Sequence, residues 1–228
     1  MAGFLLSAIQ KITVPVATYS PFRAGMLFLA YSSDKSVWIS MPQQQQIIEW
    51  IQSDSQRMDA LHHARQLGLS QWCLAAGFVR NLVWDRLQGY ANSTALNDID
   101  LVYFDRDNID PQRDKELEAR LLMQSPLPWS VKNQARMHLR SNRSPYLNTA
   151  DAISYWVEVE TAIGVRLEAN DSLTLIAPLG LQALFTSTIT FNDKNGDLAT
   201  FHQRVADKGW LNLWPKLHLV YNGQSRTT

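Results

Sequence analysis

The 228-residue chain has a single cysteine, Cys73. One thiol excludes an internal disulfide and a cysteine-based zinc cage, and it fits a reducing, cytoplasmic setting. Neither sign of charge is in excess: Lys plus Arg and Asp plus Glu are both 21. General nucleic-acid coats and membrane-surface proteins carry a basic surplus, so neither role is expected. No run reaches the ~18–20 apolar residues that span a bilayer, so no membrane partner is expected. The short apolar stretch Gly3 to Ile9 has no positive segment before it, and Lys11 follows instead, which argues against a secretory signal. Gly-x-Ser-x-Gly, Gly-Lys-Ser/Thr and Gly-x-Gly-x-x-Gly are all missing. Serine-hydrolase, P-loop and dinucleotide-binding chemistry therefore have no support.

What is present is a foldable core. Apolar residues make up 46%, and eight Trp, seven Tyr and eight Phe supply surface to bury. Residues 1–40, with Pro15, Pro21 and a turn-like Tyr31 to Lys35, hold no period for long. They are expected to be a poorly structured extension, or upstream sequence read from an early start codon, with the domain over 41–228. From Met41 on, the pattern predicts helices over 43–52, from Ser53 or Ser55 to Gly68, over 78–88, over 113–123 and over 148–155, one after Pro178 and one over 197–208. It predicts strands over 72–76, 99–104 and 131–139, and a hairpin pairing 165–167 with 173–176. Strand–helix–strand order of this kind implies an α/β (α+β) domain with a mixed sheet flanked by helices.

The densest chemistry lies in Asn97-Asp98-Ile99-Asp100-Leu101-Val102-Tyr103-Phe104. Alternation along a strand puts Asp98 and Asp100 on one side. Neighbouring like charges are best tolerated around a divalent cation, and hard oxygens suit Mg²⁺ or Mn²⁺. About twenty residues earlier, Ala75-Ala76-Gly77-Phe78-Val79-Arg80-Asn81 reads as a strand-to-helix turn. Gly77 permits close backbone approach, and a helix start behind it aims free N–H groups at an anion that Arg80 reaches with its forked donors. A second cluster, Lys132, Asn133, Gln134, Arg136 and His138, puts four polar side chains on one face if the strand runs on through 139. His62 and His63 are adjacent on a helix and point apart, and no His is placed to activate Cys73. Trp210, Trp214 and Tyr221 have the spacing of residues that anchor a last helix to the core, although aromatics can also stack bases.

The turn–helix–strand arrangement resembles the polymerase-β-like nucleotidyltransferase superfamily. Gly77 to Asn81 followed by Asn97 to Leu101 looks like the head of poly(A) polymerases and tRNA-CCA-adding enzymes, where Gly-Gly-x-Val-Arg-Asp precedes Asp-Ile-Asp-Leu. A closer resemblance is to small bacterial proteins described only as predicted nucleotidyltransferases. It rests on Ala76–Asn81, Asn97–Asp105, Val131–His138 and Ala177–Leu181, within residues 45–222.

The resemblance implies metal-dependent transfer of a nucleoside monophosphate from an NTP donor to an acceptor hydroxyl on a small molecule, a protein or an RNA end. Asp98 and Asp100 would be the catalytic, metal-holding residues for two Mg²⁺ or Mn²⁺ ions. Gly77, Phe78, Arg80, Asn81, Lys132, Asn133 and Arg136 would bind the nucleotide. Two departures stand out. Phe78 occupies the place assigned to the second glycine. A third carboxylate is expected near Ser130, a much poorer ligand, with Glu158, Glu160 or Glu168 as substitutes from elsewhere. The alternative is therefore a nucleotide- or partner-binding protein of the same fold with impaired turnover.

Overall fold

The computed structural model describes residues 42–221 and the backbone of 224–226; the extension expected over 1–40 lies outside the described residues. Two helices open the domain. α1 (Gln43–Gln52) buries Ile47 and Ile51. α2 (Ser55–Gln66) is capped by Asp54, whose side chain accepts from the Arg57 N–H, and buries Ala60, Leu61 and Ala64. Next come β1 (Cys73–Ala75) and α3 (Gly77–Gln88), which ends on Gly89 at φ 82°. β2 (Ile99–Tyr103), α4 (Pro111–Gln124) and β3 (Trp129–Asn133) form a β-α-β unit with parallel strands. α5 (Thr149–Ile153) precedes the antiparallel hairpin of β4 (Gly164–Leu167) and β5 (Leu173–Ile176). The five strands make one mixed sheet in the order β3-β2-β1-β4-β5.

Period-2 alternation divides this sheet into two faces. Leu74, Ile99, Leu101, Tyr103, Trp129, Val131 and Val165 join the main core with residues of α1 to α4. Cys73, Ala75 and Val102 point the other way, against Ile153, Trp156 and Ile176. Gly164 allows β4 to close on β1: a Cβ there would stand 2.5 Å from the Cys73 Sγ.

A second layer follows in the chain. β6 (Thr188–Thr190) pairs parallel with β7 (His218–Tyr221), which pairs antiparallel with β8 (Gln224–Arg226). Between them lie α6 (Leu198–Lys208) and the short α7 (Trp210–Leu213). Phe201, Val205, Trp210 and Trp214 pack with Ile189 against Trp84 of α3. The Trp214 N–H donates to Asp85 at 2.8 Å, so this aromatic anchors the C-terminal helices to the core.

Two sequence expectations are corrected. The strand expected over 131–139 stops at Asn133 and becomes a 3₁₀ helix, Gln134–Ser141, because the Asn133 side chain caps the turn by accepting from the Ala135 N–H. The helix expected after Pro178 is a 3₁₀ turn, Ala183–Thr186; Gly180 at φ 77° breaks the helical path.

Candidate active site

The site begins where β1 ends. Ala76 adopts φ 55°, ψ −122° and its N–H donates to Ile163 O at 2.9 Å. This fixes the start of α3 and leaves the amides of Gly77 and Phe78 without intrahelical acceptors. A Cβ on Gly77 would lie 3.3 Å from the Asn81 amide nitrogen, so the turn is already closely filled. Phe78 is a fully buried core side chain, whereas Ala76 holds the backbone conformation that favours glycine.

Arg80, in the first turn of α3, is only 6% exposed. Its guanidinium lies between the rings of Trp84 at 4.9 Å and Trp210 at 4.5 Å. It donates to Thr161 Oγ1 at 2.6 Å and to Asn81 Oδ1 at 2.9 Å, while its Nε has no partner among the described residues. Burial lowers its pKa to about 10, against the pull of Glu158, Asp98 and Glu160, so the group stays cationic at neutral pH.

β2 carries Asp100, and Asp98 stands one residue before its start. Asp100 pairs in register with Ala75 on one side and with Ser130 on the other. Burial, then the charge of Asp98, push the Asp100 carboxyl above the usual range; Lys208, Arg80 and a hydrogen bond from Ser130 oppose this. Asp98 is half exposed, and Lys208 Nζ approaches its Oδ2 to 3.6 Å. Lys132 sits opposite Val102, two residues farther along the same face.

These groups open into one cleft of about 450 Å³. Gly77, Arg80, Asp98, Asp100, Lys132 and Gln134 line it, and the register of β1, β2 and β3 explains why. Arg140, Arg204 and Lys208 also line it, so five cations and two carboxylates share one lining, with Lys132 Nζ lying 3.9 Å from Glu118 Oε2. Arg204 forks onto Glu158 at 2.7 and 3.2 Å. Burial works against the Arg204 charge, but the Glu158 carboxylate outweighs it and raises the pKa. Arg204 and Lys208 stand four apart on α6, hence on one helix face. That spacing was visible in the sequence; what they face was not.

Asn133 and Arg136 lie elsewhere. The Asn133 amide donates to Asp105 O at 2.7 Å and Asn108 O at 2.9 Å. Arg136 is ion-paired with the buried Asp114, which also accepts from the Tyr103 hydroxyl at 2.8 Å. The His138 ring meets Ala135 O at 3.0 Å. The turn at Gln134 ends the alternation that would have put Arg136 and His138 beside Lys132.

The substitute acids are occupied. Both oxygens of Glu158 meet Arg204. Glu160 accepts from Thr188 Oγ1, Thr190 N and Thr190 Oγ1 at 2.7–2.8 Å. Glu168 pairs with Arg166 at 2.6 Å. Among the described residues no group of three His, Cys, Asp or Glu side chains gathers as a metal site. The carboxylates lining the cleft are Asp98 and Asp100, with Ser130 beside Asp100 on β3. Two carboxylates still fit Mg²⁺ or Mn²⁺, since Mg²⁺ commonly takes one or two protein carboxylates and fills its shell with water and substrate phosphate oxygens.

Comparison with known proteins agrees with this geometry. No curated protein matches the sequence. A solved NMR structure described as revealing a CCA-adding enzyme head domain matches at 30% identity and TM-score 0.67, over 77% of this chain and 94% of that one. A tRNA-processing enzyme in an apo form (16%, TM-score 0.45, 70% of this chain and 44% of that one) and a CCA-adding enzyme with CTP (14%, 0.43, 74% and 47%) are too distant to carry an argument. No helix among the described residues is long and apolar enough to cross a membrane. The family profile described as Nucleotidyltransferase matches residues 62–219, a span that holds the turn, both aspartates and the α6 cations, and the chain belongs to that family of transferases.

Proposed function

We propose that the cleft transfers a nucleoside monophosphate from an NTP to an acceptor hydroxyl, with Asp98 and Asp100 as the catalytic carboxylates. The observation that carries this reading is the convergence of the α3 N-terminus, both aspartates and five cations on one cleft. The Gly77 and Phe78 amides and Arg80 bind the β- and γ-phosphates through directed donors and the positive helix end. Lys132, Arg204 and Lys208 offset charge that develops on the phosphoryl oxygens. Asp98 and Asp100 hold Mg²⁺ or Mn²⁺, which when bound neutralises the triphosphate and lowers the pKa of the acceptor hydroxyl. The hydroxyl oxygen forms a bond to the α-phosphorus, the α–β bridge bond breaks, and pyrophosphate leaves with that electron pair; the hydroxyl proton passes to water. The acceptor class stays open among a small molecule, a protein and an RNA end. Zero net charge favours a compact acceptor over a long RNA. The single thiol supports a cytoplasmic setting.

The test is transfer of α-³²P label from each NTP, with Mg²⁺ or Mn²⁺, to a cell extract separated into small-molecule, protein and RNA fractions. Label should enter one fraction and fall at least about 1,000-fold in Asp98→Asn/Asp100→Asn, the scale of losing a main electrostatic element. Transfer that survives the double substitution would refute the assignment.

Ser130 favours a second reading, a nucleotide-binding protein with little turnover. It stands beside Asp100 where a third carboxylate is expected, and none of the other acids fills in. Wild-type turnover eliminates this reading, whereas activity gained only in Ser130→Asp supports it.

A further inference from the structure

The cleft changes character along its length. Around Gly77, Arg80, Asp98 and Asp100 it is ionic. Beyond Val102 its lining includes Met137, Tyr146, Ala152 and Trp156, with Arg140 and Ser141 on the same turn as Met137. The rings near this end are not equivalent. Tyr146 and Tyr155 stack on each other at 5.3 Å and 28°. Lys194 Nζ, at 3.8 Å, and the Arg143 guanidinium, at 4.8 Å, also lie over the Tyr155 ring. Trp210 is committed to Arg80. Trp156 rests on Cys73, Ala75, Val102 and Ile153 but has no aromatic or cationic partner among the described residues. Its indole N–H donates to none of them either.

Gln134 lines the same stretch and is 4% exposed. Its amide makes one long hydrogen bond, Nε2 to Lys132 O at 3.4 Å. The side-chain carbonyl oxygen accepts nothing among the described residues. That oxygen is not enclosed by protein, so it opens on the cleft, where a ligand N–H can reach it. A ligand suited to this end has a flat face for Trp156 and an edge N–H for Gln134.

We propose that this end of the cleft is a nucleobase subsite, in which a purine or pyrimidine ring stacks on Trp156 and its edge N–H donates to the Gln134 carbonyl oxygen. Every nucleobase has a π-face, and each of the four common ones carries an N–H on its pairing edge. The inference rests on nucleotidyl transfer in this cleft and adds which wall takes the base. That base belongs either to the NTP donor or to the terminal nucleotide of an RNA acceptor; the chemistry of recognition is the same.

Titration calorimetry of the full chain with Mg²⁺ tests this, using the four NTPs, a dinucleotide and inorganic tripolyphosphate as ligands. The base-bearing ligand should bind Trp156→Ala about 5- to 100-fold more weakly than wild type, the usual worth of one base stack, with tripolyphosphate affinity unchanged. Gln134→Ala should lose about 3- to 10-fold, the scale of one neutral hydrogen bond. Should Trp156→Ala fail to fold, Trp156→Phe keeps the packing and the stack, and Gln134→Ala carries the test. Weakened NTP binding assigns the donor base, and weakened dinucleotide binding assigns the acceptor base. The subsite is overturned if tripolyphosphate binds and neither base-bearing ligand responds to either substitution. Wild type that binds none of the ligands overturns the nucleotidyl-transfer reading, and the subsite with it.

Discussion

Arg80 and Arg136 carry the same side chain, are both largely buried, and belong to segments that share one sheet, yet they use their charge differently. Arg80 lies at the turn 76–81 between two tryptophans, bonded only to the neutral oxygens of Thr161 and Asn81. Its positive charge remains available to the cleft. Arg136 lies past the end of β3, and its charge is consumed by Asp114. The contrast separates two kinds of buried cation. One is held by π-faces and hydroxyls and awaits an anion; the other completes an internal pair and stabilises the fold.

Breaking the internal pair should produce the largest effect. Arg136→Ala leaves the Asp114 carboxylate buried without its cation, at a cost of about 3–5 kcal/mol. Urea denaturation should show this as a lower midpoint, with nucleotide affinity per folded molecule unchanged. An affinity loss without a stability loss would erase the distinction between the two arginines.

Arg80→Lys should do the reverse. Lysine keeps the charge but loses the fork and the flat face that stacks on Trp84 and Trp210. Tripolyphosphate binding should weaken about 10- to 100-fold, the range for a charge-assisted hydrogen bond. The unfolding midpoint should move much less than in Arg136→Ala.

The seat of the Arg80 turn can be probed from β4. Gly164→Ala places a methyl 2.5 Å from the Cys73 Sγ, and overpacking of this kind costs about 1–3 kcal/mol. Adding Cys73→Ala should restore part of that loss, and the coupling in the thermal midpoints measures the contact. Burial pushes the Cys73 thiol up to about 12. It stays protonated across pH 7–9, so iodoacetamide should leave it unmodified in the native protein at both ends of that range.

The smallest effect is expected at the turn itself. Ala76→Gly relieves a φ of 55°, a strain of about 1–3 kcal/mol, and returns about 0.4–1 kcal/mol of it through the freer unfolded chain. A net gain of about 1 kcal/mol, seen as a raised melting temperature, is the expected result. A loss would mean that the alanine methyl packs usefully in the cleft wall.

Much of this protein was legible in one dimension. Helix period and caps place α1, α2, α3, α4 and α6, because those signals lie within one turn of the residues they describe. Alternation alone puts Asp98 and Asp100 on one side of a strand, and the spacing from Gly77 sets one helix between turn and strand. Three matters depend on contacts between distant segments. Asn133 ends β3 by capping a 3₁₀ turn and bonding to the 105–108 loop, which sends Arg136 to Asp114 and leaves Gln134 at the cleft. Lys208 reaches Asp98 and Arg204 lines the same cleft because Trp210 and Trp214 fasten the C-terminal helices to α3 across more than a hundred residues. Trp156 meets Val102 because α5 and the residues after it lie over the sheet face opposite the main core. Local periodicity records which way a side chain points from its own backbone; which groups stand across from it is decided by packing of the whole chain.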